Sequence, residues 1–162
     1  MGISIKIEDH SKEVLDALDE ALEKGLEACG RQAEGYAKQE LSNTPKRIDT
    51  GLLRNSITYA VSGKPAKKTS YKGSSVHGDN ESTRKRGIVG KPAPPPHEGS
   101  YSGQAPEENG DEKAVWIGTN VKYATYVHDG TMKMAANRFL RNAITKHADQ
   151  YRAIIKKFMQ NN

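Results

Sequence analysis

Cysteine is almost missing from this chain. Cys29 stands alone among 162 residues, so no intrachain disulfide framework exists, and a cytosolic folding compartment is expected. Long apolar runs are missing as well. None approaches the roughly 18–20 residues that span a bilayer. Met1-Gly2-Ile3 does not lead into a basic and then an apolar segment, so no secretory signal is expected either. Metal-ligand spacing is lacking: His10, His77, His97, His128 and His147 are scattered, with no second His or Cys at a useful interval. His128-Asp129 has the form of a two-residue metal signature but has no partner histidines. The glycines trace no phosphate-binding loop, and no serine-nucleophile pattern occurs. The chain is therefore expected to be no enzyme, with no cofactor, no metal, no small-molecule substrate and no membrane partner.

What is present is charge. Charged residues make up 28% of the chain against 35% apolar, the net charge is +5 and the pI is about 9.2. That balance suits ordinary solubility, and also contact with nucleic acid or an acidic protein surface. The length fits one domain, residues 1–162.

Residues 3–7 alternate, with three isoleucines on one face, and read as a short strand. Asp9 and Ser11 are candidate N-caps, and Glu13 adds a carboxylate to a first turn. A long helix is predicted over 11–41. Leu15, Leu18, Leu22, Leu26, Cys29, Ala33, Tyr36 and Ala37 give it one apolar stripe, and Cys29 on that stripe reads as a small core residue. Several opposite charges stand four residues apart on its other face. Gly25, Gly30 and Gly35 weaken such a helix unless something packs closely against it or it bends; their five-residue spacing puts them on no common face. Pro45 and Asp49-Thr50 stop this helix. Gly51 permits a turn, 52–56 can form one helical turn, and Leu52, Leu53 and Ile57 supply apolar anchors around Arg54. Residues 57–61 then alternate as a strand.

From 62 to 113 the composition shifts to Gly, Pro, Ser, Lys and Glu, with almost no aliphatic residue. Too little apolar surface is available there to offset the entropy of ordering, so a long flexible insert, an excursion from a β-hairpin, is expected. Lys64, Lys67, Lys68, Lys72, Arg84, Lys85 and Arg86 gather in its first part, with Tyr71 as a possible stacking ring; they are the candidate DNA-facing residues of an alternative reading, a small basic nucleic-acid-binding module. The returning strand is 114–118, where Val115 and Ile117 share one face and Trp116 takes the other. With both faces apolar it is expected to be central or covered by another subunit. A short helix over 123–130 ends at Gly130. The last helix is predicted over 137–159, where His147 sits on the apolar stripe as a packed boundary residue. The sum is an α+β fold: a small antiparallel sheet packed against two long helices, with the hairpin insert.

Three pieces stand in order along this chain: Asp49-Thr50-Gly51-x-Leu53-Arg54-x-Ser56-Ile57, then Trp116-Ile117-Gly118-Thr119 running into Tyr123-Ala124-x-Tyr126-Val127-x-x-Gly130-Thr131, then Arg138-Phe139-Leu140-x-x-Ala143. Together they resemble the tail-component family of long-tailed, non-contractile bacteriophages and prophages, over most of the chain outside the insert. The resemblance implies a structural protein of the virion neck and tail, made in the host cytoplasm, that completes the tail and joins it to the head. It implies a ring, hexameric in the virion, around a DNA channel. The partners are then further copies of the chain, neighbouring head-completion and tail-tube proteins, and passing DNA. The subunit-interface residues it points to are Thr50, Gly51, Leu53, Arg54, Trp116, Tyr123, Tyr126, Gly130, Thr131 and Phe139.

Overall fold

A computed structural model describes residues 10–43, 51–64, 68–74, 98–104 and 113–160, with the side chains of 68–74 and 98–104 left aside. The strand expected at 3–7, the stop at Pro45 and Asp49-Thr50, Lys67 and the Arg84-Lys85-Arg86 run lie outside the described residues.

The organising element is helix α1, Ser11–Ser42. Its N-cap is His10 rather than Asp9 or Ser11, with no side-chain cap bond to the helix; the His10 imidazole instead meets Glu13 at 3.2 Å. The expected charge pairs form along its outer face, Lys24 with Glu20 at 2.7 Å, Arg31 with Glu27 and Lys38 with Glu34. The glycines are explained by two different neighbours. A Cβ on Gly30 would lie 2.5 Å from the Tyr59 ring and 2.9 Å from Val115, while one on Gly25 would lie 3.1 Å from Ile155. Five residues turn a helix by about 140° beyond a full circle, so the sheet packs on one side of α1 and the C-terminal helix on another. Gly35 has nothing within 4 Å of its Cβ position.

A five-residue helix, α2 (Leu52–Ser56), leads into β1 (Thr58–Val61). β1 pairs antiparallel with β4 (Val115–Gly118), Tyr59 opposite Ile117 and Val61 opposite Val115. The fold is thus α+β, as expected, with a two-stranded sheet against α1. Within the chain, the strand expected to be central or covered by another subunit is the less covered of the two. β1 is buried at all four positions, Thr58 included, and β4 only half-buried throughout. Both strands pack on α1, so apolarity on both faces of β4 does not by itself make it the central strand.

The 62–113 segment holds more regular structure than its composition suggests. Strands β2 (Lys68–Ser74) and β3 (Glu98–Gln104) form a seven-pair antiparallel ribbon, Tyr71 opposite Tyr101, and the ribbon approaches α2. Backbone pairing satisfies a strand whatever its side chains are, which a composition argument overlooks.

After β4 come α3 (Ala124–Asp129), α4 (Phe139–Thr145) and α5 (Ala148–Gln160). The single last helix expected over 137–159 is therefore two, broken at Lys146-His147, and both pack on α1. The Tyr151 hydroxyl donates to the Ala143 carbonyl at 2.7 Å, occupying an acceptor near the break. His147 lies against Tyr36 of α1. Glu40 accepts from Lys146 Nζ at 2.7 Å and Asn142 Nδ2 at 3.2 Å, and this ammonium holds the Glu40 carboxyl below its ordinary range. The main core gathers Ala37 and Leu41 of α1 with Leu53, Ile57, Val121, Ala124, Phe139 and Ala143.

Candidate functional site

The 51–57 joint is built on its first residue. Gly51 adopts φ 75° as the N-cap of α2, a left-handed conformation that suits glycine. Its carbonyl accepts from the Asn55 backbone at 3.0 Å and from Asn55 Nδ2 at 2.9 Å. Leu53 and Ile57 turn into the core. Ser56, fully buried, donates to the Leu53 carbonyl at 2.8 Å and meets the Thr119 hydroxyl at 2.6 Å. Thr119 Oγ1 accepts from the Val121 amide at 3.2 Å. One proton per hydroxyl orders this chain: Val121 donates to Thr119, Thr119 to Ser56, and Ser56 to Leu53. The first and second sequence motifs are thereby tied by the hydrogen bond between buried Ser56 and half-buried Thr119.

The 119–139 stretch folds back on itself. The Gly130 amide donates to the Tyr126 carbonyl at 3.0 Å, closing α3, with φ at 83°. A Cβ there would lie 2.7 Å from the Ala136 nitrogen and 2.8 Å from the Met134 carbonyl oxygen, so no side chain fits. Thr131 and Met134 exchange backbone hydrogen bonds around a tight turn, and the Asn137 amide returns to the Val127 carbonyl at 2.9 Å. A shallow pocket opens beside this turn, lined by Thr119, Thr125, His128, Asp129, Phe139 and Leu140. His128 meets Asp129 at 2.7 Å and stands edge-on to Phe139 at 5.4 Å. Among the described residues no group of three His, Cys, Asp or Glu side chains gathers to hold a metal. Cys29 is buried, and burial pushes its thiol pKa up, away from the reactive thiolate.

The expected interface residues divide. Gly51, Leu53 and Phe139 are buried within the chain and act as core, so they offer no surface to a neighbour. Arg54, Trp116 and Gly130 are half-buried, and Tyr123, Tyr126 and Thr131 are exposed. Arg54 has no ion-pair partner among the described residues. Thr50 lies outside them. Of the DNA-facing candidates, Lys64 is held at 2.6 Å by Glu27, whose carboxyl is pulled down to about 2 by Lys64 and then by Arg31. Lys68 and Lys72 fall on β2. Sequence reasoning missed the Ser56–Thr119 bond and the Tyr36–His147 stack; a serine inside the apolar 52–57 stretch was the one local sign of the first.

No family model, curated protein or solved structure matches this chain. No helix among the described residues is long and apolar enough to cross a membrane.

Proposed function

We propose that this chain is a structural protein of the neck and tail of a long-tailed, non-contractile phage, completing the tail and joining it to the head as a ring around the DNA channel. The observation that carries this reading is the meeting of the three sequence motifs in one core. Leu53 and Ile57 come from the first, Ala124 from the second, and Phe139 and Ala143 from the third. Residues of all three motifs pack against one another, so their order and spacing describe one folded unit. The reading assigns the chain no catalysis. Its chemistry is association, through side chains such as the half-buried Arg54 and the exposed Tyr126.

The test is a phage deleted for this protein, its lysate viewed by electron microscopy. Unjoined heads and tails are expected. Joined, infectious particles would overturn the proposal. An Arg54→Ala phage then tests whether that guanidinium works between subunits: impaired joining is expected with the monomer fold intact.

A further inference from the structure

Two apolar surfaces lie at opposite ends of α1. At its start, Val14, Leu15 and Leu18 are 63%, 61% and 40% exposed, and every residue from His10 to Glu20 is exposed. These three side chains fall within one arc of about 100° around the axis. Further along α1 the same arc carries Gly25, packed against Ile155 and Phe158 of α5. The seam that α5 fills therefore continues toward the helix start, where none of the described helices or strands covers it. At the other end, Tyr126 is 63% exposed, Met132 fully exposed and Ile144 49% exposed.

The two ends carry opposite charge. Between Ser11 and Glu20 stand Glu13, Asp16, Asp19 and Glu20 against Lys12, with Lys113 paired to Asp19 beside them. Between Val121 and Arg141 stand Lys122, Lys133, Arg138 and Arg141 against the single Asp129. Val14 and Ala37, which packs in the core with Ala124 and Phe139, are separated by about 35 Å of helix. Within one chain the two surfaces are held apart, so complementarity of this kind is satisfied only between chains.

We infer that the projecting start of α1 docks on the 122–141 surface of a second copy of this chain, head to tail. Leu15 and Leu18 supply the apolar contact, Tyr126 and Met132 receive it, and the acidic and basic rims fix the orientation. Each copy keeps one free surface of each kind, so the contact is heterologous and closes into a ring when its rotation allows. The inference deepens the self-assembly part of the proposed function and rests on it.

The test uses the full chain, with oligomeric state followed by native mass spectrometry and light scattering over a concentration series at low and high salt. Wild type is expected to assemble, less so at high salt. Glu13→Lys with Asp16→Lys reverses the helix start; Asp19, tied to Lys113 at 2.9 Å, is left alone. Lys133→Glu with Arg141→Glu reverses the receiving surface. Each double variant alone is expected to associate about tenfold more weakly or worse. Mixed in equal amounts they are expected to assemble again, since reversed start meets reversed surface. Leu15→Ser, at an exposed position outside the core, gives the same loss if a charge variant melts early. A monomeric wild type, variants that assemble like wild type, or a mixture that stays apart would each overturn the inference. Assembly untouched by these variants removes these surfaces and leaves the ring standing; joined particles without the protein remove the phage role and leave the docking standing.

Discussion

The imidazole of His147 lies flat against the ring of Tyr36, centroids 3.5 Å apart and planes 10° from parallel. The stack stands where α4 ends and α5 begins, so it fixes the break between them onto α1. The Tyr36 hydroxyl also takes part, accepting from Gln32 at 2.8 Å and donating to Gln150. His147→Ala is expected to cost about 1–2 kcal/mol in urea unfolding, with the far-ultraviolet helical signal of the folded state retained.

Tyr151 makes a separable contribution at the same joint. Tyr151→Phe removes the bond to the Ala143 carbonyl and is expected to cost about 1 kcal/mol. Burial first, then the neighbouring Tyr36 and Cys29, push the Tyr151 phenol up to about 12. Its folded pKa thus exceeds its ordinary value of 10.0. The linked stability is complete below pH 10 and lost as pH rises toward 12. The phenylalanine variant lacks that alkaline loss, which melting curves across the window read directly.

Gly30 and Gly35 predict opposite signs from the same substitution. Gly30→Ala drives a methyl into the Tyr59 ring and Val115, and is expected to destabilise by about 1–3 kcal/mol. Gly35→Ala meets nothing within 4 Å on an exposed helical face, and is expected to stabilise by about 0.5–1 kcal/mol. Paired thermal melts check both. A Gly30→Ala protein as stable as wild type would contradict the packing of β1 on α1.

Thr119→Val removes the donor to Ser56 and the acceptor for the Val121 amide together. About 1–3 kcal/mol should be lost, since buried polar groups are left unmatched. Ser56→Ala with Thr119→Val should lose less than the sum of the two single changes, because the pair acts as a unit.

Acid should weaken the contact between α1 and the base of the insert. The Glu27 carboxyl, ordinarily near 4.5, is lowered to about 2 by Lys64 and Arg31. Its contribution is present above 4.5 and lost as pH falls toward 2. The Arg31 end is well exposed and the Lys64 end partly so, so the effect is no more than about 1 kcal/mol. Glu27→Gln should flatten stability against pH over that interval.

Periodicity carries far when one face of an element is buried by one partner. The Cys29, Ala33 and Ala37 part of the α1 stripe, the Leu52–Ser56 turn, the β1–β4 pair and the end of α3 at Gly130 followed from local spacing and turn chemistry, whereas Leu15 and Leu18 of the same expected stripe are exposed. Periodicity fails where the deciding contact is remote in sequence. The stripe over 137–159 runs unbroken through Lys146-His147, and nothing local announces that Tyr36 and Glu40, a hundred residues earlier, pin a break there. The same holds for Leu53 and Phe139, whose place in a shared core could not be separated from a place in a subunit contact by hydrophobicity alone. In Ile57, Thr58 and Ala60, burial on both sides reflects neighbours supplied by other elements rather than the residues themselves.

The two ends of the 62–113 segment are fastened before the segment begins. The Ser62 amide donates to the Ala114 carbonyl at 3.0 Å, and the Ala114 amide returns to Ser62 Oγ at 2.7 Å. Beside them Lys64 reaches Glu27 and Lys113 reaches Asp19, both on α1. With the base fastened, a change of loop length costs little: doubling the length of a loop adds only about 0.6 kcal/mol of closure entropy. Residues 75–97, between the two strands of the ribbon that approaches α2, are therefore the place where an inserted reporter peptide is expected to leave the stability of the body unchanged.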